Sequence, residues 1–320
     1  MAQVPMDEAE FAREIAPYRA ELLAHCYRLI GSRSDAEDAL QNALVRAWKG
    51  FAGFEGRSSL RTWLYRITTH ACLDLIGERR ARTLPERVVP SGQDAPFDAD
   101  WLEPLPDGEL DAHRAPDAVY ASREAVRLAF VVALQVLPPR QRAALILRDV
   151  VGLSAEETAA TLDLSVAATN SALQRARATL ESQPRAKPTP TLPGVLAELL
   201  GRYVRAWETG DTNGLIALLR SDAIFSMPPL PLWARGPAEV AAILEHLVWP
   251  MGPVRLVPCA ANGSPAFGVY QRRGDAAFEL TGISVVEIEG DAIAQVHTFL
   301  GHDGAPFGLA AQLLRESVEQ

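Results

Sequence analysis

The sequence is poor in cysteine and contains no long apolar run. Its three cysteines, Cys26, Cys72 and Cys259, lie far apart and lack the CxxC or CxxH spacing of a metal site. We expect buried free thiols in a reducing cytoplasm. No apolar stretch approaches the roughly 20 residues that span a bilayer, and the acidic N-terminus lacks a signal-peptide core. These absences predict a cytoplasmic protein without a metal site or a membrane segment.

The charge of the chain is unevenly distributed. The 320 residues suffice for two or three domains, and the formal net charge is −9. Residues 91–118 hold eight acidic residues and one arginine, and their proline, aspartate and glycine content is typical of an extended linker. Residues 57–82 hold six arginines and two acidic residues. Such a local basic segment favours nucleic-acid binding even in an acidic protein.

Residues 137–180 predict two short helices joined by a tight turn at residues 163–165. Ser154 can cap the first helix with Glu157 in a capping box, and Ser165 can cap the second. The second helix should bury Thr169, Leu173, Ala176 and Leu180 and expose Asn170, Ser171, Gln174, Arg175 and Arg177. These exposed residue types read bases and phosphates in the major groove, which favours a helix-turn-helix. Spacing alone is equally compatible with a solvated helical hairpin.

The rest of the chain divides into an all-helical part and a mixed part. Residues 10–82 are predicted to be helical, with a break at Gly31-Ser32 and a new helix capped by Ser34. Beyond a proline-rich linker, a helix with a Gly-Asp-x-x-Gly break at residues 210–214 is predicted over 195–220, and a short helix is predicted over 237–249. Strands are predicted at 223–228, 255–261, 266–272, 276–290 and 293–300. A curved, mostly antiparallel sheet wrapped around helices fits this order.

The helical part resembles the bacterial sigma-70 family in its extracytoplasmic-function branch. DAEDALQNALVRAWKGF and FEGRSSLRTWLYRITTHACLDLI match region 2, and the helix-turn-helix matches region 4. WLEPLPD and LQVLPPRQRAALILRDV resemble members with an extra C-terminal domain. RAWETGDTNGLIALLRSDAIFSMPP and PAFGVYQR resemble the SnoaL-like α+β cones. The resemblance implies a multidomain protein, with all-α region 2 (1–90), an acidic linker (91–118), all-α region 4 (119–183), a proline-rich linker (184–194) and a SnoaL-like domain (195–320).

The resemblance implies a sigma factor, which binds core RNA polymerase at the β′ clamp and β flap and opens promoter DNA. Asp38 and Gln41 share a helix face and match the family positions that grip the clamp. From the residues alone, this face would be a solvated helix surface. Asn42 replaces the glutamate usual in the family, which puts core affinity in doubt.

The helix over residues 59–82 corresponds to the reader of the promoter −10 element. The residues implied to bind this DNA are Arg57, Arg61, Arg66, His70, Arg79 and Arg80. The loop FAGFEGRSS matches the pocket for an unstacked base. Trp63 is either a stacking platform or, as its spacing favours, a core residue, and Tyr65 and Phe54 have the same alternatives.

Region 4 is implied to read the −35 element through Asn170, Ser171, Gln174, Arg175 and Arg177. Arg140 and Arg142 are expected to clamp the DNA backbone. The family commonly has K-S-R where this chain has Asn170-Ser171-Ala172, so phosphate attraction depends more on Arg175 and Arg177. The acidic linker is either an RNA mimic in the polymerase channel or plain disorder.

The C-terminal domain is expected to regulate the sigma regions through an aromatic pocket. The predicted pocket residues are Phe225, Met227, Trp233, Trp249, His297 and Phe299. His297, Asp222 and Glu279 are the obvious titratable candidates, and a core role for His297 is favoured over catalysis. We therefore expect no enzymatic activity and no cofactor; an anti-sigma protein or a small molecule is a candidate partner. The alternatives are a one-component helix-turn-helix regulator and a SnoaL-like cyclase or isomerase fused to a DNA-binding module.

Overall fold

The computed structural model describes residues 7–77, 82–84, 101–109, 125–182, 193–272 and 277–313. The chain forms two compact units: residues 1–82 with 108–185, and residues 83–107 with 186–320. The two regions expected to contact DNA therefore belong to one unit. Among the described helices, none has the length and apolarity needed to cross a membrane.

The first half of the first unit is helical, as predicted. Its helices are α1 (Glu8–Ile15), α2 (Arg19–Ile30), α3 (Arg33–Gly50) and α4 (Leu60–Gly77). Gly31 ends α2 with a φ of 80°, a left-handed conformation that glycine adopts without strain. The hydroxyl of Ser32 accepts a hydrogen bond from the Asp35 N–H at 3.1 Å and caps α3. The prediction that Ser34 is this cap was therefore wrong by two residues.

The core between α2 and α4 encloses a histidine. His25 has no exposed surface, and its Nε2 lies 2.8 Å from the Thr69 hydroxyl. Its ring meets the ring of Tyr65 edge-on at 5.0 Å. Burial, with smaller contributions from the nearby charges of Arg28 and Arg61, lowers the pKa of His25 to about 3. Tyr65 is thus a core residue and not a stacking platform for a base.

The second half of the first unit contains the predicted helix-turn-helix. Its helices are α5 (Leu128–Gln135), α6 (Pro139–Leu145, continued by a π-helix over Ile146–Val150), α7 (Ala155–Thr161) and α8 (Val166–Glu181). The predicted apolar face of α8 is buried at Thr169, Leu173, Ala176 and Leu180. Helix α7 precedes the turn, and α8 presents its other face to solvent.

The second unit is an α+β domain with one curved sheet. Its helices are α9 (Pro193–Thr209), α10 (Thr212–Ile216) and α11 (Gly236–Ile243). Its strands are β1 (Leu219–Ser226), β2 (Trp233–Arg235), β3 (Val254–Ala261), β4 (Ser264–Gln271), β5 (Phe278–Glu289), β6 (Ala292–Leu300) and β7 (Gln312–Leu313). The sheet order is β2-β1-β6-β5-β4-β3, with β7 beside β5. Among the described strands, β1 and β6 are the single pair of parallel neighbours, which confirms the mostly antiparallel sheet.

The helical segment predicted over 195–220 is interrupted at the predicted Gly-Asp-x-x-Gly break. Helix α9 ends at Thr209, and Asp211 caps the separate helix α10 by accepting a hydrogen bond from the Gly214 N–H at 2.8 Å. Other boundaries of this domain differ from the prediction. Leu219 already begins β1. The short strands β2 and β7 were not predicted, since three and two residues are too few for an alternating pattern to stand out.

Candidate nucleic-acid interface

Side-chain caps fix the geometry of the helix-turn-helix locally. The Ser154 hydroxyl accepts a hydrogen bond from the Glu157 N–H at 3.1 Å, and the Glu157 carboxylate accepts one from the Ser154 N–H at 2.8 Å. The latter bond is the main reason that the pKa of Glu157 is lowered. Asp163 adopts a φ of 52° in the turn, a left-handed conformation that aspartate tolerates better than most residues. Ser165 then caps α8 through the Ala168 N–H at 3.1 Å.

The exposed face of α8 carries the side chains predicted to read DNA. All five are exposed: Asn170, Ser171, Gln174, Arg175 and Arg177. Arg175 has no hydrogen bond or ion pair with the described parts of the chain. Arg177 instead forms a bidentate pair with Asp149, at 3.0 Å through Nε and 2.6 Å through Nη2, which raises its pKa. Arg175 is thus available to DNA, whereas Arg177 must first leave Asp149.

The two arginines predicted as backbone clamps lie in opposite environments. Arg140 is exposed at the start of α6, but Arg142 is 2% exposed. Its guanidinium donates to the Leu29 carbonyl, to the Gln135 carbonyl and side chain at 3.1 and 2.6 Å, and to the Leu137 carbonyl at 3.1 Å. Burial lowers its pKa to about 10, so it stays charged at neutral pH. The prediction that Arg142 clamps the DNA backbone is therefore wrong. Arg142 instead connects region 4 to the last turn of α2.

Helix α4 brings two of the predicted −10 residues together. Arg66 and His70 lie one turn apart, and both face Asp163 of the helix-turn-helix. Arg66 Nη2 lies 2.7 Å from Asp163 Oδ1, and His70 Nε2 lies 3.3 Å from Asp163 Oδ2. One turn earlier, the Thr62 hydroxyl donates to Glu157 Oε1 at 3.0 Å. Arg66 and His70, which are predicted to contact promoter DNA, thus contact the Asp163 carboxylate of region 4.

The remaining predicted −10 residues are not gathered at this point. Arg57 is 86% exposed and lies 3.3 Å from the Glu55 carboxylate. Arg61 forms a bidentate pair with Glu21 and stacks over the Tyr65 ring at 4.9 Å, so it is engaged within region 2. Arg79 and Arg80 lie outside the described residues.

The loop expected to hold an unstacked base is bordered by an aromatic cluster. Trp63 is half-buried and contacts Phe51 edge-on at 6.0 Å and Phe54 at 5.1 Å. Phe11 in turn contacts Phe51 and Trp48, each at 5.2 Å. The rings pack on one another, as a core role for Trp63 requires. Trp63 and Phe54 are only half-buried, which is also compatible with stacking on a base.

Helix α3 presents the residues expected to bind polymerase. Asp38, Gln41 and Asn42 are exposed, while Leu40 and Ala43 are buried on the opposite side. The two faces follow from helical spacing. The role of Asp38 and Gln41 remains a prediction, and their exposure is compatible with it.

The pocket predicted in the C-terminal domain is divided between two faces of the sheet. Phe225 and Met227 belong to the core between α9 and the sheet, with Trp249 packed against it. Trp207 of α9 stacks on Phe225 at 6.5 Å and meets Trp249 edge-on at 5.3 Å. These side chains form a continuous aromatic core.

The other predicted pocket residues lie on the opposite face. His297 pairs with Ser226 across β6 and β1, and Trp233 pairs with Ser226 across β2 and β1, so the three share that face. Phe299 follows on the same face two residues after His297. The single pocket predicted from the sequence is therefore wrong, because residues 225 and 297 point to opposite sides.

His297 is buried and doubly hydrogen-bonded. Its Nδ1 lies 2.7 Å from the Ser226 hydroxyl and its Nε2 lies 2.9 Å from Gln295 Oε1. The other titratable candidates have different partners: Asp222 pairs with Arg220, and Glu279 accepts from Gln312. His297 is thus a satisfied core histidine. The described residues also include no cluster of three or more side chains suited to a metal ion.

Two polar atoms inside the aromatic core make no hydrogen bond of good geometry with the described residues. They are the Tyr203 hydroxyl and Trp207 Nε1, both on α9 and both in buried side chains. Burial raises the pKa of Tyr203 to about 12, so the phenol stays protonated at neutral pH. Buried polar groups without partners are uncommon and mark places where a water or a ligand atom can bind.

Part of the predicted acidic linker is anchored within the second unit. Leu102 and Leu105 are buried. The Leu105 N–H donates to Asn262 Oδ1 and the Asn262 N–H donates back to the Leu105 carbonyl, both at 2.9 Å. The Gly263 N–H donates to the Asp107 carboxylate at 2.8 Å. Plain disorder is therefore wrong for this part, the RNA-mimic hypothesis stays a prediction, and residues 91–100 and 110–118 lie outside the described residues.

Sequence reasoning missed the carboxylates that face α4. The sequence pattern predicts only a capping role for Glu157 and a turn position for Asp163. The anchoring by Asn262 was also missed, although Asn262-Gly263 was a clear turn signal with φ of 55° and 65°. WLEPLPD places two leucines in an otherwise polar linker, which is the signal that could have indicated burial.

Three family models match the chain in the expected order. They are Sigma-70 region 2 over residues 15–82, Sigma-70, region 4 over residues 127–180, and the SnoaL-like domain over residues 200–296. The aligned ranges contain α2–α4, α5–α8 and most of the second unit.

Similar proteins of known class cover nearly the whole chain. The ECF RNA polymerase sigma factor SigG of Mycobacterium tuberculosis is 43% identical over 97% of this chain and 87% of its own length. SigJ of the same organism is 31% identical over 75% of this chain and 74% of its own length. The crystal structure of SigJ superposes with a TM-score of 0.62 at 23% identity, covering 93% of this chain and all of that one, which supports the fold.

Proposed function

Because the chain belongs to the ECF family of RNA polymerase sigma factors, we propose that it binds core RNA polymerase, recognises −10 and −35 promoter elements and initiates transcription. The observation that carries this proposal is that the side chains of α8 in region 4 that are expected to contact bases are exposed. The same chain also exposes the face of region 2 that is expected to bind polymerase. It acts in the cytoplasm, where core polymerase and promoters are.

Each region has a distinct contact in this proposal. Asp38 and Gln41 on α3 bind the β′ clamp, and region 4 binds the β flap and the −35 element. Arg175, with Asn170 and Gln174, contacts base edges, since Arg suits guanine and Asn or Gln suits adenine. Arg66 and His70 contact the −10 strand.

The C-terminal domain regulates these regions through the linker that it holds. Asn262 and Gly263 bind the backbone of Leu105 and the carboxylate of Asp107, so the domain controls where the segment between regions 2 and 4 can go. A small molecule that satisfies Tyr203 and Trp207, or an anti-sigma protein, would shift this control. The domain needs no enzymatic activity for such a role, and His297 lacks a carboxylate partner among the described residues.

The rival functions account for less of the chain. A one-component regulator has no use for a sigma region 2 at residues 15–82. A fused cyclase or isomerase needs a positioned acid and base, and the three titratable candidates have separate partners. The sigma-factor proposal uses all three matched segments.

Run-off transcription with purified core polymerase tests the proposal. We expect transcripts from a cognate promoter with the wild-type chain, and at least a tenfold loss of core affinity in Asp38→Ala with Gln41→Ala, about 1.4 kcal/mol or more. Glu14→Ala, an exposed acid on α1, is the control. Asn262→Ala, in the same assay, should change transcript yield without changing core affinity if the linker contact is regulatory. Unchanged core affinity in the folded double variant would contradict the assignment of α3.

A further inference from the structure

Three side chains of α4 form a stripe along one face of the helix. Thr62, Arg66 and His70 are spaced four residues apart, so they lie one above the other at intervals of about 6 Å. Each of them faces a carboxylate oxygen of region 4, at 3.0, 2.7 and 3.3 Å respectively. All of these residues belong to the same compact unit.

The two carboxylates lie at the two ends of α7. Glu157 is in its first turn, and Asp163 is in the turn that follows its last residue. Glu157 already completes a capping box, for which glutamine serves as well as glutamate. The left-handed backbone of Asp163 is equally compatible with asparagine. Neither negative charge is therefore required by the local structure of the helix-turn-helix.

The contacts of Asp163 are also poorly placed to stabilise the fold. Its side chain is 58% exposed, and those of Arg66 and His70 are 51% and 35% exposed. Ion pairs of this exposure contribute little to stability because water and salt screen them. Losing these contacts when the two regions separate therefore costs the protein little stability.

We propose that Glu157 and Asp163 act as an internal substitute for promoter phosphates on the Thr62–Arg66–His70 stripe. In the free protein the carboxylates occupy the positions where two phosphates of the −10 strand bind, so region 4 blocks DNA binding by region 2. Binding of the two regions to separate sites on polymerase withdraws both carboxylates together and opens the stripe. This inference rests on the proposed function for the identity of the DNA.

The charge balance supports occupation by phosphate. A hydroxyl donor, a guanidinium and an imidazole in line suit successive backbone anions, which are bound mainly by such groups. In the closed form the stripe holds two negative charges against one permanent positive charge. The closed form should therefore repel a nucleic acid strand at this face, and the open form should attract it.

Binding of single-stranded DNA by the free full-length protein tests the inference. The probe is a fluorescent oligonucleotide of about 20 nucleotides and mixed sequence, because phosphate contacts do not depend on sequence. The test variant is Glu157→Gln with Asp163→Asn. We expect it to bind about three- to tenfold more tightly than wild type at low salt. Its plot of log affinity against log salt should be steeper by about 0.7 for each phosphate newly bound.

A matched control separates occupation of the stripe from the change in net charge. Glu156→Gln with Glu198→Gln also removes two negative charges, from exposed residues that have no ion pair with the described residues. This control should bind like wild type. Arg66→Gln should abolish the gain when added to the test variant. Asp163→Asn alone should give a smaller gain in the same direction.

Equal affinity of the test and control variants would overturn the inference, and so would a gain that survives Arg66→Gln. Absence of detectable binding by both variants counts as equal affinity. The assay contains no polymerase, so its outcome is separate from that of run-off transcription. A wild-type chain that fails to support transcription would overturn the proposed function even if the stripe binds DNA as expected.

Discussion

Two arginines of region 4, Arg142 and Arg175, are both predicted from the sequence to contact DNA. In the structure they lie in opposite environments. Arg142 is 2% exposed and donates to backbone and side-chain oxygens around the end of α2. Arg175 is exposed on α8 and has no partner among the described residues. Of the two, only Arg175 can meet a nucleic acid without a rearrangement.

The difference shows how burial decides what a cation does. The carbonyl of Leu29 belongs to the last turn of α2, where carbonyls have no partner within the helix and carry partial negative charge. Gln135 donates to the neighbouring Arg28 carbonyl at 3.3 Å. Region 4 therefore caps the end of a region 2 helix, and this buried joint is a firmer connection than the exposed contact of Arg66 with Asp163.

The largest effect is expected from breaking the buried joint. Arg142→Met keeps much of the side-chain volume but leaves several buried carbonyls without a donor, which should destabilise the first unit by about 3 kcal/mol. Amide hydrogen exchange in α2 and α6 measures this locally, without requiring that both units unfold together. Arg140→Met is the control and should stay within about 0.5 kcal/mol. Equal hydrogen-exchange protection in the Arg142→Met and Arg140→Met variants would mean that the buried joint adds no stability.

The same contrast between buried and exposed groups predicts a pH dependence. His25 has a folded pKa of about 3 against 6.5 when unfolded, so below pH 6.5 the unfolded chain binds the proton and the folded chain does not. Stability should be unaffected above pH 6.5 and fall as the pH drops toward 3, by about 2 kcal/mol at pH 5. His25→Gln should flatten this slope in hydrogen exchange of α2. His246→Gln, at an exposed position in the other unit, should leave it unchanged.

The smallest effect is expected at the free arginine. Arg175→Ala should cost about 1 kcal/mol or more in promoter binding by the polymerase holoenzyme, and the loss should depend on the −35 sequence if Arg175 reads a base. Binding to a panel of −35 variants measures both. Arg140→Ala should weaken all variants alike, as a phosphate contact does. Equal losses across the panel for Arg175→Ala would make it a backbone contact as well.

Local features of the fold were predictable where they depend on nearby residues. The capping box of Ser154 and Glu157, the Ser165 cap and the buried face of α8 follow from spacings of three and four residues. The one misplaced cap, Ser34 for Ser32, arose because serines stand at both positions and each has an acidic residue three positions later, Asp35 or Glu37. The candidate DNA-reading residues of α8 were also predictable, because the helical period determines which residues are exposed.

The prediction of a single pocket in the C-terminal domain was wrong because aromatic composition does not reveal on which face of the sheet a side chain lies. Phe225 and His297 lie on different strands, and only the register of β1 with β6 shows that residue 297 pairs with residue 226. A shift of one residue in that register would have reversed the assignment. The anchoring of Leu105 by Asn262 joins positions 157 residues apart, beyond any local pattern.

The sequence by itself determined the helices, the helix-turn-helix, the mixed C-terminal domain and the family, because caps, periodicity and motifs act over a few residues. Only the tertiary structure decided which charged groups are buried, which are paired and which are exposed. It buried Arg142, paired Arg66 and His70 with Asp163, and left Arg175 without a partner among the described residues. The physical reason is that solvation and charge pairing depend on what lies nearby in space, and these neighbours come from segments about 100 residues apart, as Arg66 and Asp163 do at a separation of 97.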